Sequence, residues 1–346
     1  FIERPCQAAC GMDAIGLDEN GKARIDYDRC VSCGQCLVSC PFGAIVDKSQ
    51  IFQVVRSIAE GNTVVAIVAP SFVGQFGKNV TVPKFVAAMK QLGFSDVVEV
   101  AAGADVCAIE EARDFVEKVP AQQKFLATSC CPSWRMMARR LFPDESGNIS
   151  MTYTPMIYTA RLVKHTHPGS KVVFIGPCAA KKLEAMQQEL RSDVDFVLTY
   201  EELMGIFEAK AIDFSQLPDT DDLHDASGLG RGFAAAGGVA AAVEEVLRRT
   251  QPDMEVKIQR ADGLRECRRL LTLAKAGKFD GYLLEGMACP GGCVAGAGTI
   301  IPAEAAKKQL DAHAKQATVF SCAESPYRAF AGLLEEPAAR EEETKR

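Results

Sequence analysis

"KFLATSCCPSW", residues 124–134, decides how this chain folds. Its first half is a short apolar run without polar alternation, the pattern of a strand buried on both faces. The run ends in two adjacent cysteines, Cys130 and Cys131, followed by a proline and the only tryptophan. Side chains of adjacent residues leave the backbone in different directions, so the two thiols do not serve one metal equally well. The same grammar returns in "KVVFIGPC" (171–178) and "GYLLEGMACPGGC" (281–293), where Cys178, Cys289 and Cys293 follow apolar runs. Further runs occur at 63–70, 96–101, 194–200 and 256–261, with helix-compatible stretches such as 107–119 and 240–250 between them. Strand-like runs spaced by helices predict an α/β fold with parallel sheets flanked by helices. In such sheets ligands sit beyond the carboxyl ends of the strands, so these distant cysteines are expected to meet at one place.

The chain has 346 residues, a formal charge of −6 and 48% hydrophobic residues, an ordinary globular balance. No basic surface points to nucleic acid. The longest weakly polar run, "AAAGGVAAAV" (234–243), is too short and glycine-rich to span a bilayer. The acidic and basic tail 335–346 reads as a solvated end. Fourteen cysteines in tight clusters, separated by long cysteine-free stretches, favour metal binding in a reducing cytoplasm over disulfides. The chain starts at Phe1, not Met, which leaves room for a missing leader or upstream domain.

Residues 1–50 hold six cysteines and few large apolar residues, so they read as a separate unit ahead of a larger domain at 51–346. "CQAACGMDAI" (6–15) is echoed by "CLVSCPFGAI" (36–45), an internal repeat. "CVSCGQCLVSCP" (30–41) is the bacterial ferredoxin run for 4Fe–4S clusters, whose fourth cysteine ligates the other cluster of a pair. By that swap one cluster takes Cys30, Cys33, Cys36 and Cys10. A second would take Cys6 and Cys40 plus two ligands that this chain lacks. Either the unit is N-terminally truncated or the second cluster is absent. Gly11 also stands where the ferredoxin proline would be.

"TSCCPSW" (128–134), "GPCAAKKLEA" (176–185) and "EGMACPGGCVAGAG" (285–298) together resemble, in order and spacing, the signature segments of the FeFe-hydrogenases. The ferredoxin-like front end fits the same family, and the likeness covers nearly the whole chain. The resemblance implies an H-cluster, a 4Fe–4S cube bridged by a cysteine to a di-iron unit carrying carbon monoxide, cyanide and an azadithiolate. The cube ligands would be Cys131, Cys178, Cys289 and Cys293, with Cys293 as the bridge. Lys181 matches a lysine that donates to a cyanide, and Met287 and Phe233 match residues near the di-iron unit. Cys130 matches a free thiol that passes protons to the azadithiolate amine. Glu111, Ser150 and Asp114 match the outer relay, in the order Cys130, Glu111, Ser150, Asp114. Without the family match, Glu111 and Asp114 read as a solvated helix face.

Departures from the family pattern are Gly176 for a methionine, Met156 for a glutamine near the cluster, Thr154 for a serine, and Ala297 within the final glycine run. Asp114 stands where glutamate is usual. They mark a divergent branch, and changes around a metal site tune its potential. Cys107, Cys267 and Cys322 belong to no motif and read as buried free thiols.

The resemblance implies reversible reduction of protons to H2, with a soluble ferredoxin or similar carrier as electron partner and separate maturation proteins to supply the di-iron unit. One alternative is an H2 sensor of low turnover. Another is a hydrogenase-like iron–sulfur assembly protein, which keeps the cube ligands but has no use for a proton-relay cysteine.

Overall fold

In the computed structural model residues 4–219, 223 and 225–334 are described, and the tail at 335–346 lies outside them. The N-terminal segment begins with a short helix α1 (Pro5–Ala8), a hairpin of β1 (Ile15–Leu17) and β2 (Ala23–Ile25), and a short helix α2 (Gln35–Val38). Helix α3 (Ile51–Ala59) leads into a βα alternation. That alternation runs β3 (Val64–Val68), α4 (Val82–Leu92), β4 (Asp96–Glu99), α5 (Val100–Lys118), β5 (Leu126–Ala127), α6 (Pro132–Leu141) and α7 (Pro155–Thr166). It continues through β6 (Lys171–Gly176), α8 (Ala180–Ala185), β7 (Phe196–Thr199), α9 (Tyr200–Ala209), α10 (Gly228–Gly232) and α11 (Gly238–Thr250). The last elements are β8 (Lys257–Asp262), α12 (Leu264–Lys275), β9 (Tyr282–Met287) and α13 (Ala303–Ala314).

Two parallel sheets result, one in the order β4-β3-β6-β7 and one in the order β5-β9-β8. Every residue of β3 is completely buried, which explains its unbroken Val/Ala/Ile composition. One face of the first sheet packs Val64, Val68 and Ile175 against Phe85, Phe72 and Phe207, and the other packs Ile67 and Phe174 against Met156 and Ile157 of α7. The α/β class with parallel sheets flanked by helices is therefore as expected.

Several strands are shorter than their apolar runs, and for two of them the structure shows the cause. "DVVEVA" stops being a strand at Glu99, whose carboxylate binds the Arg231 guanidinium at 2.6 and 2.9 Å, and α5 starts at once at Val100. "KFLATS" keeps its ladder only as far as the Thr128 amide, which donates to Leu284 O at 2.9 Å. The next amide, on Ser129, goes to a carboxylate of α5 instead.

The N-terminal segment lies against the second sheet's helices. Met12, Ala14 and Val31 share a core with Trp134, Met137, Leu264 and Leu271. Ser133 Oγ donates to Val31 O at 2.9 Å, Arg140 to Cys30 O at 2.7 Å and Arg265 to Ala8 O at 2.8 Å. Lys182 holds the following stretch through Lys48 O and an ion pair with Asp47 at 2.7 Å.

Candidate metal centre

The carboxyl ends of both sheets face one cavity with about 830 Å³ of empty space, partly open to solvent. Four of its thiols follow strands: Cys131 beyond β5, Cys178 beyond β6, and Cys289 and Cys293 beyond β9. Prolines set the local turns. Pro132 starts α6 directly after Cys131, and Pro155 starts α7, its fixed φ suiting a first helical turn. Gly292 adopts φ 93°, a conformation that favours glycine, and this carries the backbone past Ala235 into Cys293.

Burial and mutual proximity hold Cys178, Cys289 and Cys293 protonated in the metal-free chain. Burial first, then Cys131, pushes Cys178 up to about 11, and burial with Cys178 and Cys131 pushes Cys289 and Cys293 well up. A cluster has to displace those protons, as thiolate ligation does generally. Among the described residues no three His, Cys, Asp or Glu side chains are placed to hold a single metal ion. An iron–sulfur cube takes one thiolate per iron, so four thiols around one cavity suit a cube as a donor set.

Cys130 and Lys181 line the same cavity, as do Met287 and Phe233. Burial, then Cys107 and Cys131, holds the Cys130 thiol well above the ordinary thiol range. Burial disfavours the Lys181 charge, but Glu184 outweighs it and raises Lys181 overall. The Lys181 ammonium donates to Glu184 Oε2 at 2.6 Å and to Cys130 O at 3.4 Å. Thr154 does not line the cavity. Its hydroxyl is buried and has no hydrogen-bond partner among the described residues.

Glu111 is fully buried, so the solvated-face reading fails for it. The Ser129 amide donates to its Oε1 at 3.2 Å and the Ser129 hydroxyl at 3.4 Å, while Oε2 has no hydrogen-bond partner among the described residues. Burial pushes the Glu111 carboxyl up to about 8, with Asp114 adding and Ser129 and Ser150 opposing. Ser150 is completely buried beside it. Asp114 is partly exposed and pairs with Lys118 at 2.7 Å. Of these four residues only Cys130 lines the cavity; Glu111 and Ser150 are buried outside its lining and Asp114 is partly exposed.

A second cavity is lined by Cys10, Cys30, Cys33 and Cys36. Burial pushes Cys33 up to about 12, opposed by the Gln35 amide and reinforced by Cys36, Cys10 and Cys30. Cys6 and Cys40 line neither cavity. The repeat is visible in the backbone, since Ala14 N donates to Cys10 Sγ and Ala44 N to Cys40 Sγ, each four residues on, at 3.2 and 3.4 Å. Cys33 lines both cavities. Cys107, Cys267 and Cys322 are completely buried free thiols, as expected.

Sequence reading passed over Glu184, Ser129 and Glu285. Glu184 had a signal, its i,i+3 spacing from Lys181. Glu285, just before Met287, accepts from the Gly237 and Ala240 amides at 2.6 and 2.7 Å and so ties β9 to the start of α11.

Fold and thiols define an iron–sulfur protein built on parallel α/β sheets. The chain belongs to the iron-only hydrogenase family: residues 62–297 match the model described as the iron only hydrogenase large subunit, C-terminal domain. Residues 2–51 match the LdpA Fe-S cluster-binding domain. The NADP-reducing hydrogenase subunit HndD of Solidesulfovibrio fructosivorans is 31% identical over 328 residues, covering 78% of this chain and 55% of that protein. The chain thus spans about half the length of that relative. Cytosolic iron-sulfur assembly component 3 of Bos taurus is 26% identical over 363 residues, covering 85% of this chain and 76% of that protein. Among solved structures, an apo FeFe-hydrogenase HydA1 from Chlamydomonas reinhardtii shares the fold with TM-score 0.64 at 20% identity, covering 85% of this chain and 96% of that one. No helix among the described residues is long and apolar enough to cross a membrane.

Proposed function

We propose that this chain is a hydrogenase, interconverting protons and electrons with H2 at an H-cluster in the main cavity. The observation that carries this reading is one wall holding four thiols for a cube together with a fifth, Cys130, and a buried cation, Lys181. When bound, the cluster supplies the two-electron chemistry of H2.

The protein's own residues do the rest. Cys131, Cys178, Cys289 and Cys293 would hold the cube, Cys293 being the thiolate it would share with the di-iron unit. Lys181, kept charged by Glu184, presents a buried cation to an anionic ligand, a charge-assisted contact. The apolar remainder of the wall, including Met287 and Phe233, keeps water out. Cys130 exchanges a proton at Sγ with the cavity. Glu111 Oε2, buried with no hydrogen-bond partner among the described residues, is the next atom that can take up and release a proton, and Asp114 meets solvent. Ser150 bridges between them. Cys10, Cys30, Cys33 and Cys36 hold a 4Fe–4S cluster in a unit spanning residues 1–50, and Cys33 is the electron exit toward the catalytic domain at 51–346. Cys6 and Cys40 are two of the four ligands that a second cluster would need. A soluble carrier such as a ferredoxin delivers electrons, maturation proteins load the di-iron unit, and the cytoplasm is the compartment that keeps the thiols reduced.

The assembly-protein reading has one observation in its favour, the likeness to the assembly component at 26% identity. A cube site alone does not need Cys130 on the wall or a partnerless carboxylate oxygen behind it. The test is maturation with the di-iron unit, followed by infrared spectroscopy and an H2 assay. Carbon monoxide and cyanide bands with turnover support the enzyme. Bands with negligible turnover favour the sensor, and no bands favour the assembly reading.

A further inference from the structure

Phe174 lines the main cavity, though no motif pointed to it. It lies two residues before Gly176 on β6, so side chains at the two positions stand on the same face of the strand. A Cβ added to Gly176 would lie 2.5 Å from both Cε1 and Cζ of Phe174 and 3.1 Å from Ala69 Cβ. The phenyl ring already fills the place that a side chain at 176 would take. Backbone conformation does not demand glycine there, because Gly176 is not among the positive-φ residues. The ring does demand it.

Phe174 is 3% exposed and packs in one apolar cluster with Ala69, Val100 and Met156, all of which border the same cavity. Pro70, Pro155 and Pro177 also border it and carry no N–H. This side of the cavity is thus apolar, in contrast to the Lys181 side.

We propose that Phe174 and Gly176 are a matched pair: the ring of Phe174 forms the wall that a side chain at 176 would otherwise form, and so sets the size of ligand accepted there. The ligand class that suits this wall is uncharged and needs no hydrogen bond. The ligand assignment rests on reading the cavity as a cofactor site, whereas the pairing itself does not.

The test is a double-mutant cycle on the full chain, with Gly176→Met, Phe174→Ala and the two combined. Melting of the metal-free protein is the first readout. Each single change is expected to lower the melting temperature, and the combination to recover at least half of the summed loss. If Gly176→Met fails to fold, Gly176→Ala tests the same coupling, since it needs only a shift of the ring. Additive losses overturn the pair. In chains loaded with the di-iron unit, Phe174→Ala is expected to shift the carbon monoxide stretching bands, and the double variant to move them back. Bands that stay in place in both variants overturn the ligand assignment. Coupled melting with no bands after maturation supports the pair and counts against the hydrogenase reading instead.

Discussion

The Ser129 amide donates to Glu111 Oε1 at 3.2 Å, one residue before the cavity thiol Cys130, while Glu111 Oε2 is buried with no hydrogen-bond partner among the described residues. The loop after β5 thus ties a carboxyl to the residue preceding Cys130 and leaves one carboxyl oxygen free. Buried polar atoms are normally paired, and an exception of this kind marks a functional group.

Glu111→Gln keeps the shape and removes the titration. Turnover of the matured protein is expected to fall by roughly 10²–10⁴-fold, the span of general acid–base catalysis. Stability gives a second readout. Burial raises the folded carboxyl to about 8, above its unfolded value, so its contribution is full below the ordinary carboxylate range and is lost as pH rises through about 8. Denaturant titrations of the metal-free chain should therefore show wild type losing stability relative to Glu111→Gln between pH 5 and pH 9. Parallel curves would mean that Glu111 is not held protonated.

Asp114 is the surface end of the path and is already part-solvated in its pair with Lys118. Asp114→Asn is expected to slow turnover by about tenfold, less than Glu111→Gln, because water can serve at an exposed position. Small buffers at high concentration should restore part of the loss. An unchanged rate at all buffer concentrations would place the proton entry elsewhere.

Glu184→Ala leaves the Lys181 ammonium buried beside no carboxylate. Breaking a buried pair by removing one partner costs about 3–5 kcal/mol, measurable by denaturant unfolding of the metal-free chain. Lys181→Met with Glu184→Leu should cost much less, because no charge is left behind. Equal losses in the two variants would show that the pair is not what stabilises this wall.

In the N-terminal segment, Cys10→Ala and Cys36→Ala should each remove one 4Fe–4S cluster from the iron and sulfide count, with loss of its reduced electron paramagnetic resonance signal. Cys6→Ala and Cys40→Ala should leave that cluster in place, since neither thiol lines its cavity. Electron delivery from a reduced carrier should fail only in the first pair. A loss of the same cluster in Cys40→Ala would refute the swapped ligand set.

The parallel sheets were legible because β3, β6 and β9 are buried along nearly their whole length and carry runs without polar alternation. The meeting of Cys131, Cys178, Cys289 and Cys293 was legible for the same reason, since each follows such a run. Burial of Glu111 was not, because "EEARDF" has the charge density of a solvated helix face. Only the packing of α5 against α7 and α11 makes that face internal. The shortening of β5 was also hidden, as it depends on Ser129 giving its amide to Glu111. Phe174 escaped notice because a phenylalanine in an apolar strand looks the same whether it faces a core or a cavity.

The central claim is that adjacent thiols divide the work, Cys131 holding the cluster and Cys130 carrying the proton. The most direct measurement is Cys130→Ala in the matured protein, with infrared spectra and H2 turnover recorded on the same sample. The account predicts carbon monoxide and cyanide bands like those of wild type, with turnover lower by orders of magnitude. Turnover at the wild-type rate, or disappearance of the bands, would contradict it.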